Sequence, residues 1–199
     1  MQKRQRSLGL LLDRPLLVSV ALTAAFFAFS VWFFPSAFET NDDAFMSLIA
    51  AGRLFTDSPD EHLLFTHVFV GLGLAALYGF GPDFPWYGCY LFAVMGASVL
   101  ALVYALLRAN PTVKQCVLVA ALLIAFVLPG LVHPQFTRVA FLAVLTGLTL
   151  MSAAPGRLPS KMVWVGAGLV LLGGLVRFQA VLLAYVIFVP VMGAVALRA

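Results

Sequence analysis

Acidic residues are scarce in this chain, and the few present are crowded together. Of 199 residues only eight are Asp or Glu, and seven of those (Glu39, Asp42, Asp43, Asp57, Asp60, Glu61 and Asp83) fall between positions 39 and 83. Charged residues of both signs make up 10% of the chain and the mean hydropathy is +1.05, a balance that excludes an ordinary water-soluble domain. Cysteine is also rare. Cys89 and Cys116 lie in or beside apolar runs, which argues against a disulfide framework or a thiolate metal cluster and for two small packing residues. Basic clusters of the kind that grip nucleic acid are missing too: the twelve Lys and Arg stand singly or at the ends of apolar runs, a pattern that reports membrane orientation. No internal repeat, low-complexity tract or soluble domain interrupts the sequence.

What is abundant is uncharged apolar sequence, 63% of the chain. Residues 15–34 run for twenty positions without a charge, enough to cross a hydrocarbon core of about 30 Å. Lys3, Arg4, Arg6 and Arg14 precede this run and hold residues 1–14 in the cytoplasm by the positive-inside bias. A cleaved signal peptide is the rival reading, but the run is long and aromatic, has no A-x-A site and is followed by more apolar segments. Further membrane candidates are 86–107, 115–132, 139–152, 162–176 and 181–197. The expected fold is therefore all-α, a multi-pass transmembrane bundle of about six spans with juxtamembrane helices, in a cell (inner or plasma) membrane. Residues 35–85 form an outer loop, and 86–199 form the helical bundle.

Residues 62–80 are apolar but short, with Gly71, Gly73 and Gly79 and an internal His67. If this segment crosses, the basic connections at Arg108/Lys114 and Arg157/Lys161 fall outside. If it stays embedded at one face, both become cytoplasmic, and Asp83, residues 133–138 and Arg177 join the acids outside. The second arrangement obeys the charge bias and is the expected one.

Within the outer stretch, Asn41 or Asp42 can cap a helix that places Phe45, Leu48, Ile49 and Gly52 on one face, ended by the Ser58-Pro59-Asp60 turn. Asp42 and Asp43 admit two readings: a cap plus a solvated acid, or a general base or divalent-ion ligand strengthened by low dielectric at the membrane face. Asp60, Glu61 and His62 form a second polar knot that marks the water boundary or assists Asp42. His62 and His67 are spaced five apart, which does not favour a zinc site. Gln135, Thr137 and Arg138 belong either to a proline turn or to a polar patch offering hydrogen bonds or a phosphate contact. Arg177, flanked by apolar runs, either snorkels or grips a phosphate with its forked guanidinium.

Taken together, Asn41-Asp42-Asp43-Ala44-Phe45-Met46 followed by Ile49-Ala50-Ala51-Gly52 resembles the acidic outer-loop element of the GT-C glycosyltransferases. The segment Gly173-Gly174-Leu175-Val176-Arg177 is similar to that superfamily's stretch ending in a basic residue. The resemblance, nearest in layout to protein mannosyltransferases and aminoarabinose transferases, covers the N-terminal membrane module. It implies transfer of a sugar from a polyprenyl-phosphate carrier to an acceptor at the outer face. Asp42 would be the catalytic acid supported by Asp43, with Arg177 on the lipid phosphate. Where many members carry a second outer acid this chain has Gln135-Phe136-Thr137, so no metal ligand is assigned, although a divalent ion is compatible with Asp42 and Asp43. Members usually have more spans, so a fragment or a reduced protein is an expectation as well. The alternative from another class is a non-enzymatic multi-pass protein such as a flippase, a polysaccharide-export subunit or an assembly partner. Its ligands would be membrane lipid and protein partners of unassigned identity.

Overall fold

The computed structural model describes residues 14–108, 112–153 and 161–196, and leaves Lys3, Arg4, Arg6 and Arg157 outside. All regular structure among the described residues is helical: α1 (Pro15–Phe33), α2 (Asn41–Ala50), α3 (Val68–Phe80), α4 (Trp86–Leu107), α5 (Val113–Val132), α6 (Phe136–Ser152), α7 (Lys161–Val176) and α8 (Phe178–Ala196). Three of them, α1, α4 and α5, are long and apolar enough to cross a membrane; α3, α6, α7 and residues 178–190 are apolar but shorter. At 1.5 Å per residue the thirteen residues of α3 reach only about 20 Å. Helix α5 carries a π-helical turn at Leu123–Val127, just before Pro129, a common device for absorbing the missing amide of a proline.

Helix α4 is the spine. Its buried stripe, Leu91, Val94, Met95, Ser98, Val99, Val103 and Leu107, repeats at three- and four-residue spacing, as one helix face requires. Ser98 donates back to the Val94 carbonyl at 2.7 Å, so its hydroxyl is satisfied without leaving the stripe. The α6–α7 pair crosses more closely than any side chain would permit. A Cβ on Gly147 would lie 2.4 Å from the Gly166 carbonyl oxygen, and one on Gly173 would lie 2.7 Å from the Ala140 carbonyl oxygen. Such small-residue seams let two backbones approach in an environment where hydrophobic burial gives helices little reason to prefer each other over lipid.

The helices alternate in direction, so the bundle has two unlike ends. The N-terminus of α1, the C-termini of α4 and α6 and the N-terminus of α7 meet at one end, where Leu16, Tyr104, Leu150 and Lys161 line a common groove. Arg14, Arg108, Lys114 and Lys161 flank these termini. At the opposite end are the described acids. Helix α3 belongs wholly to this acid-rich end: the His67 amide donates to the Leu175 carbonyl at 2.8 Å, while after its last turn Pro82 and Asp83 receive the Arg53 guanidinium at 2.8 and 2.6 Å. Both ends of the segment are thus held at one side of the bundle.

The acidic helix differs from its expected form. Its N-cap is Thr40, one residue earlier than Asn41. Its buried face is Asp43, Met46, Ile49 and Ala50, whereas Phe45 and Leu48 are exposed. A carboxylate, Asp43, occupies the inward position, and the side carrying Phe45 and Leu48 turns away from the bundle. The helix ends in a Schellman turn: Gly52 adopts φ +66°, its amide donates to Ile49, and the Arg53 amide donates to Leu48, both at 2.9 Å. The expected polar break at 133–138 is shorter than expected, since Phe136, Thr137 and Arg138 form the first turn of α6. Around Arg177 the break is a single residue.

Candidate functional site at the acid-rich end

The chain between α1 and α2 lies along the α5–α6 turn. Ser36 Oγ donates to the Leu131 carbonyl at 2.8 Å, the Ala37 amide to Val132 at 3.0 Å and the Glu39 amide to Pro134 at 3.3 Å. This track delivers the first turn of α2 to the first turns of α4 and α6, and Asp43 is the group on which they close. Its Oδ1 accepts from the Tyr87 hydroxyl at 2.8 Å and from the Phe136 amide at 3.1 Å, and its Oδ2 accepts from the Thr40 hydroxyl at 2.9 Å. The residue is fully buried. Burial pushes its carboxyl above the usual carboxylate range, and the three hydrogen bonds offset part of that rise. The Phe136 amide is one of the orphan donors of the α6 N-terminus, so Asp43 also serves as a cap supplied from 93 residues away.

Asp42 is the contrasting neighbour. It is only partly buried, and among the described residues its side chain has no hydrogen-bond or ion-pair partner. It lies in the first turn of α2, where the helix dipole favours negative charge. Of the two adjacent acids, then, one is an internal tie and the other is free to act.

Arg177 comes to the same corner from the α7–α8 break. Its Nη1 donates to Thr137 Oγ1, and its guanidinium carbon lies 4.8 Å from the centre of the Phe136 ring and 5.5 Å from that of Phe65. The two rings are themselves stacked, 5.7 Å apart and 11° from parallel. Phe136 therefore joins the two polar groups: its amide meets Asp43 and its ring meets Arg177. Nε of Arg177 is buried without a partner.

Arg138 pairs with Glu39 at 2.7 Å and lies at the rim of an apolar groove of about 480 Å³ between α4, α5 and α6, lined by Met95, Val103, Phe126, Gly130 and Phe141. A third groove, of about 330 Å³, is lined by Phe38, Cys89 and Pro134. Asp42, Asp43 and Arg177 line none of these three grooves, although Asp42 and Arg177 share a corner of the fold. Gln135 is the N-cap of α6 and is partly buried, with no side-chain hydrogen bond among the described residues.

Glu61 and His62 lie with Asp60 on the chain leading to α3. His62 Nδ1 is 2.9 Å from Asp60 Oδ1 and 3.9 Å from Glu61 Oε1, and one ligand atom from each of the three residues falls within 4.8 Å of the others. The hydrogen bond its ring gives to Asp60 raises the His62 pKa above its ordinary value, and the His62 backbone amide, 2.9 Å from the same oxygen, joins the ring in lowering that of Asp60. The three could hold a divalent cation at the surface. His67 takes no part: its Nδ1 accepts the Phe69 amide at 3.3 Å and caps α3.

Thr40, Phe65 and Tyr87 were not singled out by sequence reasoning. Thr40 had a local signal, since a hydroxyl three residues before a carboxylate is a common helix-start pairing. Tyr87 had a weaker one, a polar-tipped aromatic at the first turn of a span, and Phe65 had none.

No protein-family model, curated protein or solved structure matches this chain.

Proposed function

We propose that this protein is a membrane transferase of the GT-C type, moving a sugar from a polyprenyl-phosphate donor to an acceptor hydroxyl at the acid-rich end of the bundle. That end would face the outside of a cell membrane, with the N-terminus in the cytoplasm. The observation that carries the reading is the pairing, along one track, of an unengaged carboxylate at the α2 N-terminus with a cation at the rim of an apolar groove wide enough for a lipid chain.

In the proposed reaction the acceptor hydroxyl gives its proton to Asp42, and its oxygen attacks the anomeric carbon. The bond from that carbon to the phosphate oxygen breaks, and the electron pair leaves with the polyprenyl phosphate. Arg138, released from Glu39, meets the departing charge, because the groove that would take the lipid chain ends at this residue. Arg177, tied to Thr137 Oγ1, holds the Phe136 corner beside it and contributes positive charge to the same region. Asp43 positions Asp42 by tying α2 to α4 and α6. Lipid-chain binding supplies the orientation that a half-buried carboxylate needs to act on one hydroxyl.

One observation favours the alternative, a non-enzymatic flippase, export subunit or assembly partner. Asp43 and Arg177, the two most distinctive polar groups, are both occupied by contacts within the fold. The readings separate in proteoliposomes supplied with a panel of polyprenyl-phosphate sugars and assayed for released polyprenyl phosphate. Transfer predicts release that is lost in Asp42→Asn with folding unchanged. Full release in that variant would overturn the role of Asp42, and movement of donor across the bilayer without release would support a flippase.

A further inference from the structure

The basic end of the bundle has unmatched donors around an apolar groove. Tyr104 and Arg108 stand one turn apart on the last part of α4, and Lys161 and Met162 open α7 across from them. Tyr104, Lys161 and Met162 line a groove of about 340 Å³ whose other walls include Leu16, Ala101 and Leu150. The only side-chain partner of Arg108 among the described residues is the Met162 sulfur, 3.1 Å from Nη1. A thioether is a weak acceptor for a guanidinium. The Lys161 ammonium and the Tyr104 hydroxyl have no partner among the described residues. Every described Arg at the acid-rich end, by contrast, has an oxygen acceptor: Arg53 on Asp83, Arg138 on Glu39 and Arg177 on Thr137.

From this mismatch we infer that the groove binds an anionic glycerophospholipid of the leaflet at the basic end. Its phosphate is held by Arg108, Lys161 and Tyr104, and one acyl chain runs along α4 toward Ala97. The forked guanidinium suits a phosphate, and a tyrosine in the last turn of a helix long enough to span is of the type that meets headgroups with its hydroxyl. Between Tyr104 and Ala97 the groove follows α4 for about 10 Å, which receives the upper part of a chain and leaves the remainder in the bilayer. No described acid lies at this end to compete for the cations. A lipid here would join α1, α4, α6 and α7. The site is independent of any transfer at the other end.

The test uses the full chain in phosphatidylcholine vesicles that contain phosphatidylglycerol with a photoactivatable acyl chain, with similarly labelled phosphatidylcholine as the neutral control. Crosslinks to the end of α4 and the start of α7 are expected from the anionic probe and not from the neutral one. Removing each cation in Arg108→Gln and Lys161→Gln should weaken labelling about fivefold. Ala101→Leu fills the groove, keeps both cations and should also reduce labelling. Equal labelling by the two lipids, or labelling unchanged when Arg108→Gln and Lys161→Gln are combined, would overturn the inference. Loss of labelling to excess inorganic phosphate would overturn the lipid assignment in favour of a free-anion site.

Discussion

The two ends of this bundle handle charge in opposite ways. At the acid-rich end Glu39, Asp43, Arg53, Asp83, Arg138 and Arg177 all have partners drawn from elsewhere in the chain, and Asp43 alone connects three helices. At the basic end the cations stand beside an apolar groove with a sulfur as their best acceptor. A polar group with an internal partner serves the fold, and one without serves something that arrives from outside. By that criterion Asp42, and not the more buried Asp43, is the candidate for chemistry, and Arg108 and Lys161 are candidates for a lipid headgroup.

The sharpest way to break this contrast is to remove partners at each end in turn. Asp43→Ala would leave the Tyr87 hydroxyl and the Phe136 amide buried without an acceptor and should cost about 3 kcal/mol in thermal or denaturant unfolding in detergent. Asp43→Asn keeps one acceptor oxygen and buries no charge, so its cost should stay below about 1 kcal/mol. Equal losses in the two variants would mean that the charge itself holds the corner.

A smaller loss, about 1–2 kcal/mol, is expected for Arg177→Leu, which removes the hydrogen bond to Thr137 and the cation from two aromatic faces. Arg177→Lys should recover little of it, because an ammonium cannot lie flat on both rings while reaching Thr137. Glu39→Gln unpairs Arg138 at a partly exposed site, and about 0.5 kcal/mol or less is the expected change. Arg108→Gln at the basic end should leave stability in lipid-free detergent unchanged, and a loss comparable to that of Arg177→Leu would erase the distinction between the ends.

The smallest effect concerns pH. The raised pKa of His62 contributes stability that is fully present below its ordinary value of 6.5 and is lost as pH rises through the higher folded value. The lowered pKa of Asp60 contributes stability present above its ordinary 3.8 and lost as pH falls through the depressed folded value. Amide protection factors in residues 60–63, corrected for intrinsic exchange at each pH, should therefore be highest between those two ordinary values, and His62→Gln should flatten the alkaline limb.

Helix α4 was legible to the residue, because Trp86–Leu107 is uncharged and bounded by Pro85 and Arg108. The clustering of acids was legible too, as was the placement of Arg108, Lys114 and Lys161 away from it. The inward face of α2 was not. Its apolar pattern marked the side of Phe45, Leu48, Ile49 and Gly52, and no local rule assigns an aspartate to a core position when its three donors lie at residues 40, 87 and 136. The corner at Arg177 was half legible: an isolated arginine between apolar runs needs an acceptor, but the choice of Thr137, Phe136 and Phe65 depends on how α6 meets the chain before α3.

Uncharged run lengths and the spacing of rare charges decided that this protein is helical, that it has helices able to cross a bilayer, and that its acids would lie apart from Arg108, Lys114 and Lys161. These follow from solvation alone, since a long apolar run and a lone charge each have one favourable medium wherever they occur. Which of two adjacent aspartates is buried, which arginine meets the large groove, and which cations are left without an oxygen were decided only by tertiary structure. Hydrogen-bond satisfaction depends on groups that packing brings from 40 to 93 residues away, and no local pattern encodes that distance.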